Sequence, residues 1–274
     1  MTHAIHKVLS SVLGFFAPPP VSPLFQEGGA LHGLNEDITL TLFGMGALFL
    51  VDTLIVKPFI APKARYFALH VFGNAVSSVA AFPDVVTALT QDPTRLLGTP
   101  ASTMLPNSMV AAIHLYHCVA FPLRAEDIFH HLTFVGSLCC LALPAKRVLG
   151  AASGWGCFFM SGFPGALNYL LLVLVAHGRV SRLTEKKWTA RINVWLRAPS
   201  LTIFLFMAFS NFVHRGSQDI HPVLSAIVGL LYFYNGQFYS QQAVESYAVH
   251  VERAREEKRQ QQQQNNLSAI IREE

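Results

Sequence analysis

Uncharged stretches as long as a bilayer is thick recur along this chain. The longest, from Val148 to His177, runs thirty residues without Asp, Glu, Lys or Arg. An α-helix needs about 20 predominantly apolar residues to cross the hydrocarbon core. A soluble domain of this length would spread its apolar side chains as stripes and alternations between charged positions. Here 52% of the residues are hydrophobic and 13% are charged, against about 25% charged in a typical soluble domain. The chain is therefore expected to be all-α, a polytopic transmembrane helical bundle.

About seven spans are expected from the length criterion. The first is "ITLTLFGMGALFLVDTLIV" (38–56), closed by Lys57-Pro58. The others fall at about 66–90, 103–121 and 127–144, within 148–177, and at about 194–213 and 221–243. Thirty residues with "SGFPG" in the middle exceed one perpendicular span. A tilted, proline-kinked helix and a re-entrant piece followed by a span both fit there. Four regions follow: an N-terminal segment (1–37), interfacial or disordered; a first transmembrane helix (38–59); a six-helix membrane domain (60–245); and a charged, Gln-rich tail (246–274). The tail is expected to continue the last helix for a few turns and then lose order, because nothing in it can bury a core.

The net charge of +4 is a matter of topology and gives no reason to invoke nucleic acid. With the N-terminus placed lumenal or extracellular, fourteen Lys and Arg fall on the inner side and five on the outer. That is the asymmetry of the positive-inside rule, with the C-terminus cytosolic. An even number of spans would scatter it. The four cysteines, Cys118, Cys139, Cys140 and Cys157, lie in apolar blocks without CxxC spacing and read as free buried thiols.

Ionisable groups inside spans are costly and raise functional hypotheses. Asp52, at the end of its span, is expected to face headgroups. His70, Asn74, Ser77 and Ser78 form a polar stripe on the second span, expected to serve helix packing, with His70 the exception worth testing. The denser constellation lies further on. His114 and His117 sit three apart on one helix face, and Asp127 and His131 four apart on the next helix, beside His130. If "FPLRAE" is a short turn, the two helices are antiparallel neighbours and these groups converge near the cytosolic face. A carboxylate that orients an imidazole raises its basicity, which suits general-base catalysis. The same side chains have the chemistry to ligate a metal, or to hydrogen-bond headgroups as interfacial histidines. No metal or cofactor is assigned. A membrane di-iron enzyme needs about eight histidines in HxxxH and HxxHH boxes, and this chain has HxxH and a bare HH. A retinal protein is disfavoured because "HPVLSAIVGLLYFYNGQFYS" has no lysine for a Schiff base.

The stretch "EDIFHHLTFVGSLCCL" resembles the Lag motif region of the TLC-domain family of multipass membrane proteins, where an HH pair opens a helix shortly after an acidic residue. "GALNYLLLVL" (165–174) and "INVWLRAPSLTIF" (192–204) are similar to later segments of that domain. The resemblance implies a six-helix TLC-like core with one additional N-terminal helix, a lipid-related function and the endoplasmic reticulum as location. The ceramide synthases of the family pair the histidines with two aspartates on the next helix. Here that stretch reads "FFMSGFPGALN", with no acid, which points outside the ceramide-synthase branch.

Two readings result. In the first, the protein binds, senses or regulates membrane lipid through an intramembrane polar cavity lined by His130, His131, His114, His117, Asn168 and Arg197. In the alternative it is an acyl-CoA-dependent lipid N-acyltransferase, with His131 as general base oriented by Asp127, His130 holding the acyl carbonyl, and acyl-CoA as substrate. The interrupted fifth segment also suggests a transporter-like bundle.

Overall fold

A computed structural model of the chain describes residues 34–91, 99, 101–123, 125, 128, 131, 132, 136, 149–215 and 222–273. Among the described residues the structure is helical, with no strand. Helix α1 (34–59) is α-helical over Leu34–Val51, makes a π-turn at Asp52–Val56 and ends at Lys57–Phe59. Helix α2 is Arg65–Thr90 and α3 is Leu105–Ala120. Helix α4 (Ala151–Ala176) contains a π-turn at Phe158–Gly162. Helix α5 (182–215) joins Arg182–Ile192 to Ala198–Arg215 through a π-turn at Asn193–Arg197. Helix α6 is Pro222–Glu273.

The three π-turns share a local cause. Pro58, Pro164 and Pro199 each stand two residues beyond the end of one. A proline inside a helix has no N–H to give, and its ring collides with the carbonyl four residues back. Widening the preceding turn by one residue relieves that collision and keeps the helix continuous. In each case the residue before the proline bonds five positions back: Lys57 to the Asp52 carbonyl, Phe163 to Phe158 and Ala198 to Asn193. "SGFPG" is accordingly a widened turn within one continuous helix, and Val148–His177 holds no re-entrant backbone among its described residues. Pro83, inside α2, is accommodated without a π-turn.

Among the described residues four helical stretches are long and apolar enough to cross a membrane: Glu36–Phe59, Pro62–Thr90, Ala151–Ala176 and Arg182–Ser210. The expected count of seven is not reached among the described residues. The third expected span is a helix of 16 residues, about 24 Å long at 1.5 Å per residue, against a core of about 30 Å. The fourth, 127–144, lies almost wholly outside the described residues. The seventh opens α6, where Asn235, Gln237, Ser240 and Gln241 dilute the apolar run. That helix runs to Glu273, well past the few turns expected of the tail. Likewise α5 starts at Arg182 rather than near residue 194, because Ser181 caps it by accepting from the Thr184 N–H. The N-terminal segment up to residue 33 lies outside the described residues.

Helix α2 divides two apolar cores. On one side Leu48 and Val56 of α1 meet Leu69 of α2 and Met109, Ala112, Ile113 and Tyr116 of α3. On the other, Val85 of α2 packs with Trp155 and Phe159 of α4, Leu201 and Phe204 of α5, and Val228 and Tyr232 of α6. Phe49, Leu54, Val79, Phe206 and Phe209 stay exposed, as side chains facing lipid would. Water cannot drive helix association inside a bilayer, so close van der Waals contact must. Gly156 shows how close: a Cβ there would sit 2.7 Å from the Tyr232 ring and 3.1 Å from Phe204.

The short connections set the polarity of the bundle. The α1–α2 and α4–α5 connections meet where the Ala61 N–H donates to His177 Nε2 at 3.4 Å. The C-terminal end of α3 reaches the same level, since Tyr116 bonds Asp52, and Ser240 of α6 bonds the Asn193 carbonyl of α5. Lys57, Lys63, Arg65, Arg179, Arg182, Lys186, Lys187 and Arg191 therefore gather at one end of the bundle. Below it is called the basic end.

Candidate functional site

Starting from the basic end, the first polar group is Asp52. The π-turn of α1 aims its carboxylate inward, and the residue is fully buried. Arg65, at the start of α2, donates Nε to Oδ1 at 2.8 Å and Nη2 to Oδ2 at 2.5 Å. Tyr116 of α3 donates its hydroxyl to Oδ2 at 2.7 Å, and Lys57 Nζ lies 3.7 Å away. Two parallel N–H···O contacts are the strong form of a carboxylate–guanidinium pair. The guanidinium also stands 4.6 Å over the Phe121 ring. Asp52 therefore does not face headgroups, as its place near a span end suggests. The widened turn rotates it into the α1–α2–α3 junction, where Arg65 compensates its charge.

One turn deeper lies a layer of imidazoles. His70 of α2, His114 and His117 of α3, and His131 come together. Ring centroids are 5.3 Å apart for His114–His131, 5.1 Å for His117–His131, 6.2 Å for His70–His114 and 6.0 Å for His70–His117. Tyr66 and Tyr169 flank His70 at 4.1 and 4.4 Å. His70 Nδ1–H donates to the Tyr66 carbonyl at 2.9 Å, which fixes the tautomer of the neutral ring. Of the sequence candidates, His114, His117 and His131 are thus neighbours. Asp127 and His130 lie outside the described residues. Among the described residues no three His, Cys, Asp or Glu side chains are arranged to hold a metal ion.

Tyr169 connects this layer to a third group. On α5 the π-turn Asn193–Arg197 presents Arg197, whose Nη1 donates to Asn193 Oδ1 at 2.7 Å. Asn193 is fully engaged: its amide donates to the Thr189 carbonyl at 2.8 Å, and its carbonyl accepts from Ser240 at 3.0 Å. Tyr169 of α4 and Tyr239 of α6 are the electrostatic neighbours of the guanidinium. Gly165 of α4 lets the side chains pass. A Cβ there would stand 2.7 Å from Asn74 Nδ2 and 3.8 Å from Arg197 Nη2. Asn168, one turn along the same face of α4, has its Oδ1 buried without a hydrogen-bond partner among the described residues.

Sequence reasoning expected Asp52 to face headgroups and Asn74 to serve packing, and it did not single out Arg65, Tyr116, Tyr169 or Tyr239. For Asp52 the missing signal was proline: Pro58 marks the widened turn that Asp52 opens and that redirects its carboxylate. Cys157 is buried, as expected of an apolar-block thiol, whereas Cys118 is exposed, because it lies on the outer face of α3 next to Val119. Cys139 and Cys140 lie outside the described residues. No protein-family model, curated protein or solved structure matches the chain.

Proposed function

We propose that this is a TLC-type integral membrane protein that binds membrane lipid, and senses or regulates it, through the polar layer around Tyr169. One observation carries the reading. Imidazoles of His70, His114, His117 and His131 and the guanidinium of Arg197 converge from several helices inside an otherwise apolar bundle. Such groups are costly in a bilayer and are retained where they meet a substrate or a lipid. Packing alone needs only small and hydroxyl side chains, which this bundle also has. In this reading His130, beside His131, belongs to the same layer, and Asn168 contributes an acceptor. The endoplasmic reticulum, with the N-terminus lumenal and the basic end cytosolic, is the setting that the charge asymmetry and the Lag-motif likeness support together.

The test is native mass spectrometry of the full chain released from nanodiscs of mixed lipid. Specific retention of lipid by the wild type, reduced in Tyr169→Ala and His117→Leu, is expected. A chain that emerges free of lipid, or variants that retain it unchanged, would refute the reading.

One contact favours a second reading, acyl-CoA-dependent lipid N-acyl transfer. The His131 ring lies 5.1 Å from that of His117, so a second imidazole stands beside the proposed base. The acceptor amine would attack the thioester carbonyl, His131 would take the amine proton and the thiol of coenzyme A would leave. Transfer from acyl-CoA to a long-chain base by the wild type, lost in His131→Ala, would establish it. Lipid retention without turnover returns the protein to the first reading.

A further inference from the structure

Arg65 and Arg197 are both guanidinium groups within spans, and their surroundings differ. Arg65 is neutralised by the two oxygens of Asp52. The ion pairs among the described residues involve Asp52, Glu185 and Glu252 and leave Arg197 out. Its one hydrogen bond is to the neutral Asn193 amide oxygen. Its Nε is buried and has no partner among the described residues. Guanidinium keeps its charge in proteins, and that of Arg197, half-buried with its Nε out of contact with solvent, has no counter-ion among the described residues to compensate its desolvation. Over Gly165 stands another donor: the point a Cβ would occupy there is 2.7 Å from Asn74 Nδ2 and 3.8 Å from Arg197 Nη2. Tyr169 and Tyr239 are the electrostatic neighbours of Arg197. Donors therefore converge here on a place where the described chain supplies no carboxylate.

We infer that Arg197 seats the oxyanionic headgroup of a lipid, a carboxylate or a phosphate, with Asn74, Tyr169 and Tyr239 around it. The inference rests on the lipid-binding reading above and gives that site its chemical class. Guanidinium suits both oxyanions because its planar fork matches two oxygens at once. Asn193 and Arg197 stand at the two ends of the π-turn, and the Asn193 amide oxygen holds Nη1 while Nε stays available to the ligand. The position also fits. Arg197 lies six residues, about 9 Å of helix, beyond Arg191, so a headgroup there would sit just below the basic end while its chain stays in hydrocarbon.

The experiment compares probes with the same acyl chains and either an anionic or a neutral headgroup. The full chain in nonionic micelles is equilibrated with oleate or methyl oleate, and with dioleoyl phosphatidic acid or dioleoylglycerol, and retained lipid is quantified by native mass spectrometry. The wild type is expected to retain an anionic probe over its neutral counterpart by about tenfold or more, the scale of one charge-assisted hydrogen bond. Arg197→Gln should erase that preference and Arg197→Lys should keep part of it. The stronger anionic probe tells carboxylate from phosphate. If Arg197→Gln does not fold, the oleate to methyl oleate ratio of the wild type decides alone. Equal retention of charged and neutral probes, or a preference untouched by Arg197→Gln, would overturn the anionic assignment while leaving lipid binding in place. Retention of no probe at all would overturn both.

Discussion

The contact whose removal can be weighed best is the Asp52–Arg65–Tyr116 junction, because its geometry joins three helices through one carboxylate. Replacing Asp52 by Leu leaves the Arg65 guanidinium and the Tyr116 hydroxyl without their acceptor. Breaking a buried pair from one side costs about 3–5 kcal/mol. The lower end applies here, since the Arg65 side chain retains 25% exposure and can turn toward the interface; about 3 kcal/mol is expected. Arg65→Met should cost about 2–3 kcal/mol, softened because Lys57 can approach Asp52. Replacing both at once, Asp52→Leu with Arg65→Met, removes two desolvated charges together. Such replacements are often neutral, so the double variant should fall within about 1 kcal/mol of the wild type. The singles then overstate the double by about 4–6 kcal/mol, above the range of about 0.5–3 kcal/mol usual for neighbouring groups. Reversible unfolding in mixed micelles with increasing SDS, followed by far-UV circular dichroism, measures all four chains. A double variant destabilised by the full sum of the singles would refute the claim that the pair is mutually compensated.

Other consequences are narrower. Gly154→Ala should destabilise by about 1–3 kcal/mol, because the new methyl would overlap the buried Asp84 carboxylate; Gly46→Ala, with nothing within 4 Å, should stabilise by up to about 1 kcal/mol, and the same titration reads both. Deleting Trp195, an 80% exposed residue inside the π-turn of α5, should keep the register of the helix on both sides but return the Pro199 collision that the turn relieves, so a folded protein destabilised by about 3 kcal/mol is expected. Deleting Phe206 from the regular part of α5 should instead rotate all that follows by about 100° and abolish the folded fraction in size-exclusion chromatography. Truncation after Ala254 should leave the unfolding midpoint unchanged, because the rest of α6 is exposed wherever its burial is described; a lowered midpoint would mean the tail packs on the bundle.

Much of the helical architecture is legible in the residues, because bilayer-length apolar blocks have one economical solution. The span starting at Ile38 and the one over 66–90 appear as helices at those places. The position of α5 was legible only in part: Arg182–Ile192 reads as a loop by charge, yet its Ser181 cap and continuity with the span make it helix. The histidine layer was half visible. The three-residue spacing of His114 and His117 shows a shared face from sequence, but nothing local says that His70, more than forty positions earlier, meets them across α2 and α3. Asp52 was misjudged because span-end charges usually turn outward, and only the widened turn ahead of Pro58 turns this one inward. Residues such as Tyr169 and Tyr239 carry no motif at all. Their importance comes from standing beside Arg197, a property of tertiary packing.

The central claim is that lipid enters the polar layer rather than merely coating the bundle. Photo-crosslinking tests it directly: the full chain in membranes is irradiated with a fatty acid carrying a diazirine near its carboxylate, then digested and mapped. The account predicts adducts on the peptides bearing Gly165–Tyr169 and Asn193–Arg197, competed away by excess oleate. Adducts confined to outward residues such as Trp195, Phe206 and Phe209, unaffected by competition, would contradict it.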